Sequence, residues 1–251
     1  MKNLVFHLVL WVTLLCQLPL HAVTREEVVA GAELLYRARI AEAESAFQLD
    51  TDPVFLARVK RISQILINQA RHDYPAAEHY AWETHVTNAP DESASCMAGG
   101  KLLVGSTYVT SLELNDAELA MLLSHEIQHA ALEHNFKEFL EALRIAPEWR
   151  AASFLELQDA LDHDDSLMAK LAGFNREQEI EADREGLLMA WRAGWPALAL
   201  AGYYKKLVRS DPKANFAYRD HPASAQRWQS AHQLALELSN NRQTEKGKQH
   251  D

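Results

Sequence analysis

Leu122-Leu123-Ser124-His125-Glu126-Ile127-Gln128-His129-Ala130-Ala131 is the stretch on which the reading of this chain turns. It holds no Gly or Pro, and apolar residues surround its polar ones, as in a buried helix. On a helix, positions i and i+4 lie one above the other on the same face. His125 and His129 can therefore grip one metal ion from one side. Glu126, one residue on from the first ligand, can reach a water held by that ion. Two imidazoles that fix an ion and a carboxylate that takes a proton from its water are the parts of a zinc hydrolase. The plainer reading is a helix with two unrelated histidines, so the residues around the stretch have to decide.

Asn115-Asp116-Ala117-Glu118 is a cap for this helix, with Asn at the N-cap and Glu118 placed to reach back. Leu119, Leu122, Leu123, Ile127 and Ala130 make it apolar on more than one side, so it is expected to be central and buried. Two imidazoles and a carboxylate are costly inside unless something pairs with them, and a metal ion would do so. His134, five residues past His129, lies about 140° round the helix. It is off the ligand face and is read as structural.

Arg176-Glu177-Gln178-Glu179-Ile180-Glu181-Ala182-Asp183-Arg184-Glu185-Gly186 is the second informative stretch. Glu179 and Asp183 share one helical face, and Ala182 and Gly186, also i and i+4, let another helix approach closely. This fits a helix packed against the His125 helix and delivering a third ligand, with the fourth position left for water. Asp183 can accept a hydrogen bond from the free ring nitrogen of a ligand histidine. On its own the stretch reads better as an exposed charged helix with Glu-Arg pairs, and only the His-Glu-x-x-His helix beside it reverses that preference.

Further out, Thr24 to Glu27 is a capping box for a helix reaching about Phe47, and Asp52-Pro53 opens a second helix with Phe55, Val59, Ile62 and Leu66 on one face. Tyr80 to Thr87, Ser93 to Met97 and Lys101 to Val104 read as three short strands, with Gly99-Gly100 as a tight passage. Positions 136–173 are less regular, interrupted by Pro147 and a polar Asp162-His163-Asp164-Asp165 patch. Two more helices follow, and 239–251 reads as a disordered tail. The fold class is α+β, mainly helical, with a small antiparallel or mixed sheet flanked by helices and zinc between the His125 and Glu179 helices. Residues 23–238 form one domain.

Residues 1–22 are an apolar leader with Lys2 at its start, read as a signal peptide ending at Ala22; an uncleaved anchor is the second choice and a lipid on Cys16 the third. The protein is thus expected to be periplasmic or otherwise exported, with tethering through the N-terminus as the alternative. Cys96 is then the one remaining thiol, so no internal disulfide forms. A net charge of -10 argues against a nucleic-acid surface.

Four pieces in order, Gly99-Gly100 with the following strand, His125-Glu126-x-x-His129, Arg176-x-x-Glu179-x-x-x-Asp183, and His221-Pro222 followed by Arg227, resemble metallopeptidase family 48, the gluzincin group of the HtpX, BepA, LoiP and Oma-type zinc proteases. The resemblance spans about Trp82 to Leu238. It implies one zinc ion per chain held by His125, His129 and Glu179, with Glu126 as base and Asp183 orienting a ligand. It also implies that Gly100, Lys101, Leu102 and Leu103 belong to an edge strand that pairs with an extended substrate. His221 would approach the metal, either donating to the oxyanion or filling the fourth position until substrate displaces it; a plain helix-capping role is the alternative. The chain departs from the pattern at Ser95-Cys96-Met97, where the family often has an Asn-containing segment, and in lacking the membrane helices and helical repeats of some branches. The expected function is a zinc endopeptidase of a bacterial-type cell envelope, acting in quality control on unfolded, misfolded or membrane-associated proteins. The rival is a non-proteolytic envelope factor that holds unfolded chains and uses zinc structurally.

Overall fold

The computed structural model describes residues 23–248. The leader with Cys16 and the last three residues lie outside them. Helix α1 (Arg25–Ser45) starts as the capping box requires, with the Thr24 side chain accepting from the Glu27 N–H. Asp52 caps α2 (Pro53–Asp73) by accepting from the N–H groups of Val54 and Phe55 at 2.9 and 3.0 Å. After the single-turn α3 (Pro75–Glu78) come β1 (Glu83–Thr87), β2 (Ala94–Met97) and β3 (Lys101–Gly105).

The sheet is mixed and its order is β1-β3-β2, with β1 parallel and β2 antiparallel to β3. Gly99 and Gly100 have φ of 81° and 83° and make the turn from β2 into β3. A Cβ on Gly100 would also lie 2.6 Å from the Trp82 ring. This topology corrects the substrate-strand expectation. The Gly-Gly turn pairs β3 with β2 on one side, and β1 takes the other, so Lys101–Gly105 is the middle strand and has no free edge. Leu102 and Leu103 are core residues at 0% and 3% exposure. The Lys101 ammonium is buried, donating to the Ala81 carbonyl and pairing with Glu33 at 2.8 Å. Gly100 serves the turn. The run Lys-Leu-Leu-Val does not alternate, which is how a strand covered on both sides reads.

The helices α4 (Ser106–Ser111), α5 (Asp116–Ala131), α6 (His134–Ile145), α7 (Phe154–His163), α8 (Asp165–Arg192), α9 (Ala197–Ser210) and α10 (Ser224–Lys248) complete the chain. Positions 136–173, read as less regular, are mostly helical. Ser153 makes a capping box with Glu156, and Asp164, inside the polar patch, caps α8 by accepting from the Leu167 N–H. Phe139, Leu143, Leu157, Leu161, Leu167 and Leu171 build a second apolar cluster with Val28 and Ala32 of α1. The last helix also runs past Leu238 to Lys248, so 239–248 is helical and not a disordered tail; these residues include no breaker before Gly247.

Helix α5 is central. Leu119, Ala120, Met121, Leu123 and Ile127 are fully buried, and α2, α8, α9 and β2 pack around them. Its closest neighbour is α8, because Gly186 brings the two backbones together: a Cβ there would sit 3.0 Å from the His125 nitrogen. Among the described residues no helix is long and apolar enough to cross a membrane.

Candidate active site

The helical spacing of α5 stacks His125 and His129, and the close approach at Gly186 carries Glu179 of α8 to the same point. The His125 and His129 Nε2 atoms are 3.2 Å apart. Glu179 Oε1 is 3.1 Å from His129 Nε2, and Glu179 Oε2 is 3.4 Å from His125 Nε2. Ligands 2.0–2.1 Å from one tetrahedral zinc ion are about 3.3 Å apart. The three side chains therefore offer the edges of a zinc tetrahedron. Glu179 Oε2 is buried without a hydrogen-bond partner, as a carboxylate meant for an ion would be. The donor set, two nitrogens and one oxygen, suits zinc. These three are also the residues whose ligand atoms all fall within 4.8 Å of one another.

The charge balance points the same way. Burial would raise the Glu179 carboxyl, yet the His125 and His129 imidazoles hold it far below the usual carboxylate range. Burial works against a charge on His125, but Glu179 and Asp183 outweigh it and lift its pKa to about 10. The site thus draws positive charge, which a metal ion or a proton can supply.

Both ligand imidazoles are held from behind. His125 Nδ1 lies 2.9 Å from Asp183 Oδ1, short for an ion pair but off the line of a hydrogen bond, so the nitrogen keeps no aligned partner. Asp183 also accepts from the Tyr204 hydroxyl at 2.7 Å and takes both prongs of Arg227 at 2.6 and 2.8 Å. Burial would raise Asp183, but Arg227 leads the groups that pull it down to about 2. On His129, Nδ1 lies 3.1 Å from His134 Nδ1, and His134 Nε2 lies 3.2 Å from Glu181. A histidine that ligates through Nε2 carries its proton on Nδ1, so His129 donates to His134 and His134 to Glu181. Burial pulls the His134 pKa down to about 3, which keeps it neutral and able to accept.

Glu126 lies on α5 beside the ligands and borders a cleft of about 240 Å³ lined also by Ser93, Tyr108, Tyr203 and His221. Burial raises its carboxyl above the usual range, while His125 and His129 limit the rise. His221, half-exposed on the loop before α10, has Nε2 3.4 Å from Glu179 Oε2. Partial burial lowers its pKa.

Comparison with known proteins fits this geometry. Residues 56–235 match the description of peptidase family M48. The chain belongs to peptidase family M48. Members of family M48 are zinc-dependent metallopeptidases, and the His125, His129 and Glu179 cluster is where this chain can hold the metal. The chain is 30% identical to the mitochondrial metalloendopeptidase OMA1 of Arabidopsis thaliana over 60% of its own length and 31% of that protein's. It is 28% identical to the mitochondrial metalloendopeptidase OMA1 of Bos taurus, over 78% of this chain and 40% of the relative. The β-barrel assembly-enhancing protease of Yersinia pestis is 26% identical over 49% of this chain and 28% of its own. The chain thus spans less than half the length of these relatives.

The structure brings together His125, Glu126, His129, Glu179, Asp183 and His221, and leaves Gly100, Lys101, Leu102 and Leu103 in the sheet and its turn. Sequence reading missed His134, Tyr204 and the work of Arg227. His134 begins a new helix, with Glu133 at φ 59° between it and α5, so the 140° projection along one straight helix does not apply. Arg227 was visible as part of a motif, but nothing in one sequence ties it to Asp183.

Proposed function

We propose that this chain is a zinc endopeptidase that cleaves extended segments of unfolded or misfolded proteins. The observation that carries this is the M48 ligand triangle with Glu126 beside it, open to a cleft. His125, His129 and Glu179 hold the ion, while Asp183 and the His134–Glu181 pair fix the two imidazoles. Zinc bound there polarises the scissile carbonyl and acidifies the attacking water. Glu126 receives the proton on its carboxylate and passes it to the leaving amine. His221 can donate from Nε2 to the developing oxyanion when the loop moves it off Glu179.

The strand that meets substrate is β2. It has β3 on one side only, packs against α5, and is entered through Ser93 in the cleft. Its free edge can add an extended chain by backbone hydrogen bonds, which is tolerant of sequence. Ser95 and Met97, half-buried, would meet alternate substrate side chains.

The relative named for β-barrel assembly supports a cell-envelope setting with membrane proteins among the substrates. The relatives named mitochondrial metalloendopeptidases support the endopeptidase reading. Purified chain with about one zinc should digest casein, stop with a chelator and recover with zinc. Chelator-resistant digestion, or full zinc content in a His125→Ala/His129→Ala variant, would overturn the assignment.

A further inference from the structure

Adjoining the metal centre, and sharing His129 and Glu179 with it, lies a cavity of about 150 Å³ lined also by Asn135, Glu138, Asn175 and Asp220 among others. Four segments meet there: α5 through His129, α6, α8 and the loop that carries His221. Oδ1 of Asn135, of Asn175 and of Asp220 is in each case buried with no hydrogen-bond partner. Among the described residues only six side-chain atoms are in that condition, and four of them, these three and Glu179 Oε2 of the metal centre, belong to residues lining this one small cavity.

The chemistry of these atoms is uniform. The Asn175 amide is fixed, since Nδ2 donates to Glu138 Oε1 at 2.7 Å and leaves Oδ1 as the acceptor. Turning that amide would set oxygen against a carboxylate. Asp220 adds a carboxylate, and both Asp162 and Asp220 add negative potential at Glu138. A cavity of this size holds several waters, but water brings no charge to set against the Glu138 and Asp220 carboxylates. Hard divalent cations take six to eight oxygens from carboxylates, amide carbonyls and water. Zinc prefers the nitrogen-rich triangle next door, so the two sites select different ions.

We propose that this cavity is a second cation site, for calcium or a similarly hard divalent ion, built from oxygens of Asn135, Glu138, Asn175 and Asp220. Asp220 immediately precedes His221. An ion held there ties the His221 loop to α6 and α8 and sets how far His221 stands from Glu179. The site does not depend on proteolysis.

The test therefore uses the full-length Glu126→Gln variant loaded with one zinc. Calcium chloride, and separately magnesium chloride, is titrated by calorimetry, and calcium content is measured after equilibrium dialysis. One calcium per chain beyond the zinc is expected, with a rise in melting temperature and slower proteolysis within 211–222. Glu138→Gln and Asp220→Asn should each weaken calcium affinity at least tenfold while the zinc content stays at one. Asn135→Asp adds a charged ligand and should tighten calcium binding, a gain that misfolding cannot mimic. Magnesium binding in place of calcium, lost in the same variants, supports the site with a different ion. No binding of either ion at millimolar concentration, binding unaffected by all three substitutions, or a cavity that takes up only zinc would overturn it.

Discussion

Replacing Arg227 with Met tests how the centre is held. The guanidinium is 9% exposed and its partner Asp183 12%, so the discount for solvent that applies to surface pairs is small here. It makes two hydrogen bonds, at 2.6 and 2.8 Å, and lies 5.3 Å over the Tyr204 ring. Met fills much of the same volume but leaves Asp183 charged and buried, with only Tyr204 and His125 near it. Breaking such a pair from one side costs about 3–5 kcal/mol. With a urea dependence of about 2 kcal/mol/M, the unfolding midpoint should fall by about 1.5–2.5 M. Free zinc must be buffered equally in both proteins, because bound zinc adds to apparent stability. Asp183 without Arg227 should also draw a proton onto His125, which competes with zinc, so affinity for zinc should drop. The double variant Arg227→Met/Asp183→Asn removes both charges and should be less destabilised than the two single changes summed, showing the coupling directly. A loss below about 1 kcal/mol for Arg227→Met, or simple additivity in the double variant, would refute the reasoning.

Two other outcomes are expected. His134→Phe keeps a ring in the buried site but removes the acceptor for His129 Nδ1–H, and zinc affinity measured against a competing chelator should fall about 10–100-fold; unchanged affinity would remove His134 from the account. Glu83, whose pKa the Arg37 hydrogen bonds pull from 4.5 to about 2, is a carboxylate depressed in the folded state, so its contribution is complete above about pH 4.5 and is lost as pH falls through about 2. Melting curves of Glu83→Gln and the natural protein should therefore differ at neutral pH and converge towards pH 2, and a constant gap across that window would contradict the shift.

The sequence carried the local features well and the long-range ones unevenly. The caps at Thr24, Asp52 and Asn115 need only neighbours within three residues, and each forms as expected. The ligand spacing 125–129 and the face shared by Glu179 and Asp183 are also local, and Gly186 announced the close helix contact that joins them. Strand order is different in kind. Three short strands allow several orders, and pairing of Glu83 with Lys101 in parallel depends on tertiary contacts, so the central position of β3 stayed hidden although its unbroken apolar run hinted at it. The partners of Arg227 and His134 come from other helices, and a single chain of letters records no such distance. The helices of 136–173 were obscured by Pro147 and by acidic residues that prove to be caps.

The central claim, that Glu126 beside a zinc held by His125, His129 and Glu179 cleaves peptide bonds, is tested most directly by Glu126→Gln, assayed for zinc content and casein cleavage on the same preparation. The account predicts about one zinc per chain with cleavage reduced about 10²–10⁴-fold, because binding survives and proton transfer does not. Cleavage at the natural rate with zinc in place would contradict it.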